Sequence, residues 1–247
     1  NINYFGSRQG FDVLVKRVGD RAMPLSVPVL RRLVEAYSKT SNLLAKPFAA
    51  KNVPQFQTAV FDAVLKMGDA ELRVLSKEHL EEIVKAMQKL LNRVYNHKVA
   101  ATVIERFSLG AALMRFRCPI VERRINGMAH LQEVCTSLKR YSHGAITGPE
   151  MLQWLSENKI LEECFTGPNS HPELMKRSAD IIKFIADLNK LDLRYIDLIW
   201  DALETASKRD NDTTLQVLYK VLDDVAWQLE LPHIDHLLHK MSLVPFC

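Results

Sequence analysis

The sequence predicts an all-α protein built from helices stacked in pairs, and three observations carry that expectation. Helical stretches follow one another from about Pro119 to Met241 with barely a loop and no strand-like alternation. Within 212–229 the apolar positions Leu215, Leu218, Leu222, Val225 and Leu229 step by three and four, the period of a helix. Val217, Val221 and Ala226 add apolar surface on another side, and a helix that is apolar on more than one side is covered on more than one side. The predicted helix starts, at about 119, 149, 172, 192, 213 and 232, pair into units of roughly 35–50 residues, close to the armadillo and HEAT repeat period. The expected fold is therefore an armadillo/HEAT-like α-solenoid, a right-handed stack of about eleven helices.

The elements follow from local signals. Residues 1–10 are a short lead-in with Gly6 and Gly10, and Phe11–Val18 is a brief amphipathic helix. Pro28 lies in the first turn of a helix running to Ala45, where a missing N–H costs nothing, and Pro47 is expected to stop it. Asn52 and Pro54 open the next, with Phe56, Val60, Ala63 and Val64 inward, and Gly68 ends it. Ser76 caps a helix over Lys77–Val94 whose inward stripe is Leu80, Val84, Met87, Leu91 and Val94. Val99–Phe116 is helical in pattern, weakened by Gly110.

Pro119 begins a helix with Val121, Ile125, Met128, Leu131, Cys135 and Leu138 on one side. Thr147-Gly148-Pro149-Glu150 has capping-box spacing, and Ser170-His171-Pro172-Glu173 repeats it after a Gly167-Pro168 break. Leu174, Ser178, Ile181, Ile185 and Leu188 line the helix that follows. Asp192 caps the next, with Ile196, Ile199, Trp200 and Leu203 inward. Pro232 begins the last, with Ile234, Leu237, Leu238 and Met241 expected inward. The 247 residues suit one solenoid segment, less regular over 1–116 and clearest over 117–243. The chain opens on Asn1 in structured-looking sequence, so a piece of a much larger protein is expected.

Charge and cysteines narrow the partners. Residues 1–146 carry 23 Lys and Arg against 12 Asp and Glu, a net +11, whereas 147–247 carry 10 against 17, a net −7. Such polarity fits solvated faces or two different partner surfaces. No run of 18 apolar residues exists, and no charged-then-apolar leader opens the chain, so no membrane partner is expected. Cys118, Cys135, Cys164 and Cys247 are spaced by 17, 29 and 83, without a CxxC pair. They read as free thiols in a cytoplasmic protein, with the nucleus as the alternative compartment.

Motifs for chemistry are missing. GxxxxGK[ST], a strand-borne GxGxxG, GxSxG and HExxH do not occur, so no cofactor is expected. His233, His236 and His239 step by three, which spreads three rings over about 120° of a helix surface. Three imidazoles so splayed share a metal awkwardly, and no metal site is assigned. Six dibasic pairs recur, among them Lys16-Arg17, Arg31-Arg32, Lys139-Arg140 and Lys208-Arg209. Acidic neighbours and the absence of interleaved aromatics argue against nucleic acid as the ligand. Trp154 and Asn158 lie four apart on one helix face, like the W-x-x-x-N pair with which armadillo proteins hold extended peptides. Here the pair occurs once, because Trp200 is followed at that offset by Glu204 and Trp227 by Leu231, and packing in the core is the plainer role for Trp154. Arg123, Arg124, Trp154 and Asn158 are the candidate partner-binding residues.

Several segments carry a family likeness. Asn3-Tyr4-Phe5-Gly6 with Gly10-Phe11, the stretch Glu122-Arg123-Arg124-Ile125-Asn126-Gly127-Met128, and the run from Trp154 to Leu161 all take part. So do Gly167-Pro168-Asn169, Ser170-His171-Pro172-Glu173-Leu174-Met175-Lys176-Arg177 and Tyr195-Ile196-Asp197-Leu198-Ile199-Trp200. Together they resemble the helical, armadillo-like region of the giant ubiquitin-specific proteases of the fat-facets kind. The resemblance implies a region outside a papain-like protease domain that removes ubiquitin. That domain's cysteine box, N-x-G-x-x-C, is absent before Cys118 and Cys164, and its H-x-G box is not met by His143-Gly144. No catalytic residue transfers to this chain. The expected role is a non-catalytic scaffold of a large deubiquitinase that recruits or positions protein substrates, some of them ubiquitinated, or regulators. A free-standing HEAT or armadillo adaptor is the alternative, and a nucleic-acid-binding helical repeat the next.

Overall fold

The computed structural model describes residues 2–140, 145–166 and 170–243, with the side chains of 139 and 140 excepted. Fourteen α-helices and one 3-10 turn make up the described residues, and no strand occurs among them. The chain divides into two compact units, 1–120 and 121–247.

The first unit holds α1 (Ile2–Ser7), α2 (Gly10–Gly19), α3 (Val27–Thr40), α4 (Lys46–Leu65), α5 (Asp69–Val74), α6 (Lys77–Leu91) and α7 (His97–Phe116). Helix α2 packs on α4, α3 on α6, and α7 on both α4 and α6. An aromatic relay runs through this core. Phe5 meets Phe11 edge-on at 5.2 Å, Phe11 stacks on Tyr37 at 5.2 Å, and Tyr37 meets Phe56 edge-on at 4.8 Å. Burial pushes the Tyr37 phenol up to about 12. A Cβ on Gly6 would lie 2.8 Å from the Phe11 ring, and one on Gly10 would collide with Phe5. The glycines of the N-Y-F-G…G-F segment are thus there to let aromatic rings lie on backbone.

Two proline expectations are corrected here. Pro47 does not stop a helix; it sits in the first turn of α4, where no N–H is needed. Pro54 does not open one either, because α4 runs through it. The carbonyl that Pro54 leaves without a donor belongs to Ala50, an exposed residue that water can serve, while Val53, Phe56 and Val60 are fully buried around it. Gly110 does not break α7, since a Cβ there would press on Leu65 at 3.1 Å and the glycine lets α4 and α7 close together. The Ser76 cap is present, accepting from the His79 N–H at 3.2 Å, and buried Arg115 of α7 donates to the Ser76 carbonyl at 3.1 Å.

The second unit holds α8 (Val121–Arg140), α9 (Gly148–Glu157), α10 (Ile160–Phe165), α11 (Pro172–Asp187), α12 (Leu193–Lys208), α13 (Asp212–Ala226) and α14 (Leu231–Ser242). Helix α11 lies between α8 and α13, and α12 pairs with α13 and carries α14. Eight of the sixteen residues of α11 are buried, which only a helix covered on two sides achieves. Its contact with α8 includes a polar relay: Arg177 donates to Gln132 at 3.0 Å, and Gln132 donates to Asp180 at 2.5 Å.

Short turns keep these helices adjacent. Asn189 and Asp210 adopt left-handed φ values of 53° and 50°. The following N–H groups, of Lys190 and Asn211, return to Ile185 at 3.2 Å and Ala206 at 3.0 Å, closing α11 and α12 in one turn each. The Thr147–Glu150 capping box forms as its spacing predicts, with the Glu150 carboxylate accepting from Thr147 N–H at 2.8 Å. At α11 the cap moves one residue from expectation. His171, not Ser170, caps the helix, accepting from Glu173 N–H through Nδ1 at 3.2 Å, because Pro172 takes the first helical position. The helix count exceeds the expected eleven because α1, α5 and α10 are single short turns of six residues that no period reveals.

Phe184 is among the largest fully buried side chains. Phe184→Ala is expected to cost about 3–5 kcal/mol, read as a shift of the chemical-denaturation midpoint. A change below about 1 kcal/mol would mean that α11 is not central to its unit.

Candidate functional site

The sequence-derived candidates fall on α8 and α9 and face different ways. Arg124 is buried at 5% exposure, near enough to Cys164 to act on its thiol. Burial pushes that thiol up first, Glu163 adds to the rise and Arg124 opposes it. A thiol so held is a poor nucleophile at neutral pH. It is bonded to Met128 sulfur at 3.9 Å rather than to an imidazole. Arg123 is half-buried, as are Trp154 and Asn158. Asn158 closes α9, with its Nδ2 donating to the Trp154 carbonyl at 2.8 Å, so the amide is turned onto its own helix end. Cys118 and Cys135 are buried too, and Cys247, His143 and Gly144 lie outside the described residues, as does the Gly167-Pro168-Asn169 loop.

The three histidines of α14 separate as their spacing predicts. His233 is buried, accepts from Glu230 N–H at 3.2 Å and places Nε2 3.3 Å from the Leu191 carbonyl. His236 reaches Asp197 at 2.8 Å, and His239 is exposed. No group of metal-ligating side chains occurs among the described residues, and no helix there is long and apolar enough to cross a membrane. The basic pairs are largely spent at home. Arg17 donates to Met23 carbonyl, Arg21 to Lys66 carbonyl, Arg31 pairs with Glu82, and Lys208 pairs with Glu204 at 3.1 Å.

Helix α14 corrects a further expectation. Ile234, Leu238 and Met241 point outward at 40–56% exposure, with Leu231 and Trp227 more exposed still. The polar side docks instead, through His233, His236 and Lys240, the last bonding Asp197 at 2.7 Å. One carboxylate thus accepts from two basic side chains of the next helix. The same misjudged side affects α13, whose buried line is Thr214, Leu218, Val221 and Val225.

Sequence reasoning missed a cleft of about 350 Å³ where the first turns of α11 and α13 meet the last turn of α12. Phe165, Met175 and Ala202 form its apolar side; Arg209, Asn211 and Thr214 form its polar side. The Asn211 side-chain oxygen caps α13 through Thr214 N–H at 3.1 Å. Its only sequence signals were a cationic helix end and an N-cap residue two positions on, neither of which marks a concavity.

The fold and this geometry can be set beside known proteins. The family model for the UBP24/USP9X/USP9Y ARM repeat matches residues 102–243, more than half of the chain. The chain belongs to that ARM-repeat family. The match begins within α7 and covers all seven helices of the second unit. Among curated proteins, the chain is similar to ubiquitin carboxyl-terminal hydrolase 9Y of Mus musculus, 21% identical over 96% of this chain and 10% of the relative. It is similar to hydrolase 9X of the same organism, 23% identical over 96% and 10% respectively. Human ubiquitin carboxyl-terminal hydrolase 34 is 25% identical over 77% of the chain and 6% of its own length. The chain therefore spans a tenth or less of these relatives. No solved structure matches. The resemblance read from the sequence is thus confirmed, and the stacked helices are an ARM-repeat segment.

Lys240 and His236 hold the Asp197 carboxyl below its ordinary 3.8. A carboxyl that titrates lower in the folded state stabilises fully above its unfolded value and loses that contribution as pH falls through the depressed one. Helix α14 should therefore stay docked near pH 5 and loosen below about pH 3. Asp197 is 41% exposed, so Asp197→Asn is expected to weaken docking at neutral pH by no more than about 1 kcal/mol. Amide exchange over residues 233–241 checks both, with a few-fold faster exchange in the variant; unchanged exchange would assign the docking to other contacts.

Proposed function

We propose that this ARM-repeat segment is a non-catalytic scaffold within a large deubiquitinase, recruiting or positioning protein substrates or regulators for a protease domain elsewhere in the parent chain. The observation that carries the reading is the match of 102–243 to the ARM repeat of proteins named ubiquitin carboxyl-terminal hydrolases. The site geometry supports it. Thiol hydrolysis needs a cysteine against an imidazole base, and the Cys164 thiol instead faces Met128 in the core. Consecutive helical pairs present long, continuous side-chain surfaces, which suit protein partners better than a small substrate. The buried, unbridged thiols of Cys118, Cys135 and Cys164 suit a cytoplasmic location.

Two measurements test this reading. The isolated chain, given a ubiquitin–fluorophore substrate, is expected to release no fluorophore above buffer; turnover that disappears in Cys118→Ala or Cys164→Ala would overturn the non-catalytic assignment. In the parent protein, removing 121–243 is expected to leave cleavage of that small substrate intact while slowing deubiquitination of a folded protein substrate several-fold. Equal loss of both would make the segment part of the catalytic machinery instead.

A further inference from the structure

The cleft between α11, α12 and α13 has the chemistry of a receptor for one small anion-bearing residue. Three observations meet there. Arg209 lines it and makes no ion pair among the described residues. Thr214 lines it at 8% exposure, and its hydroxyl has no hydrogen-bond partner among them, although buried polar groups are ordinarily satisfied. The first turn of α13 faces the same space. Asn211 serves the Thr214 N–H there, and no partner takes up the N–H groups of Asp212 and Thr213. Donors and a cation converge while acceptors do not. Asp210 and Asp212 flank the turn and Glu173 starts α11, but none lines the cleft and all are exposed, so water screens them.

The opposite side of the cleft is apolar. Phe165, Met175 and Ala202 would leave a bare phosphate against carbon, which wastes its acceptors. A ligand that carries a carboxylate and an apolar side chain on the same carbon satisfies both sides at once. The volume of about 350 Å³ lies at the small end of ligand pockets and suits a single residue better than a folded element. The geometry points to a binding site for the C-terminal residue of a protein partner, its carboxylate on Arg209, the Thr214 hydroxyl and the α13 first turn, its side chain against Phe165 and Met175. Capture of a chain terminus by clustered backbone and side-chain donors is an established recognition mode. The site deepens the scaffold reading only in naming how a protein would be held, and it is tested on the chain alone.

The experiment is methyl NMR of the 247-residue chain, following the Met175, Ala202 and Ala206 methyls. The probes are N-acetyl-leucine, N-acetyl-leucinamide and N-acetyl-glutamic acid α-amide, each to roughly 20 mM. Saturable shifts are expected with N-acetyl-leucine, none with the neutral amide, and weaker ones with the side-chain carboxylate. Arg209→Ala should raise the N-acetyl-leucine Kd roughly tenfold and Thr214→Val roughly threefold. An unmoved Met87 methyl signal reports that each variant remains folded. No saturable shift with N-acetyl-leucine, equal binding of the leucinamide, binding of the glutamic acid amide as tight as N-acetyl-leucine, or an unchanged Kd in Arg209→Ala would each overturn the assignment. None of these outcomes bears on ubiquitin–fluorophore cleavage, so the scaffold reading stands or falls separately.

Discussion

The second unit depends on one constraint, that α11 must be covered on both flanks. Leu174, Ile181 and Ile185 are buried to within 1% of completely, and so are Ser178 and Ile182, on more than one side of the helix. No single neighbour shields that much circumference, so α8 and α13 are both required. The buried Ser178 hydroxyl is satisfied within the helix, donating to Met175 carbonyl at 2.6 Å, which keeps both flanks free for apolar contact. Removing either neighbour would expose a core, so stability in such a stack is shared between adjacent helices rather than held by any one.

That constraint also explains which parts of the fold were legible in the sequence. Capping signals at Ser76, Thr147 and Asp192 work locally, and each appears where its residue type places it. Helix type and order follow from the period and were equally readable. The buried side of a helix is decided by its neighbours. In α13 both Leu218 and Leu222 fit the apolar stripe, but packing on α11 and α12 buries Leu218 fully and Leu222 in part. In α14 a stripe of Ile234, Leu238 and Met241 signals an inward face, and only the position of Asp197 on α12 shows that the other side docks. Pro54 misled for a related reason: its cost inside a helix depends on whether Ala50 reaches water.

The candidate site was harder to read than the fold. Arg123 and Arg124 look alike in sequence, yet one step of about 100° around α8 carries Arg124 inside beside Cys164 and leaves Arg123 half-buried. The residues that resemble the fat-facets proteases serve packing as much as contact. Gly6 and Gly10 clear space for rings, and Asn158 closes a helix. The cleft escaped notice because its members come from three helices and share no spacing; Arg209 and Asn211 make sense together only once the left-handed Asp210 has turned the chain between them.

The reversed mounting of α14 has a consequence for how the protein responds to solvent. Its attachment through Asp197, Lys240 and His236 is ionic, while the side it shows to water is rich in hydrocarbon, with Trp227 93% exposed beside it. Simple electrolyte weakens the first by shielding charge, whereas strongly salting-out ions such as sulfate penalise the second by raising the free energy of wetted carbon. Sodium chloride and ammonium sulfate at equal ionic strength should therefore affect this end of the molecule differently, one favouring release of the helix and the other favouring concealment of its oily stripe. The choice of buffer ion, more than its concentration, governs the state in which this end is observed.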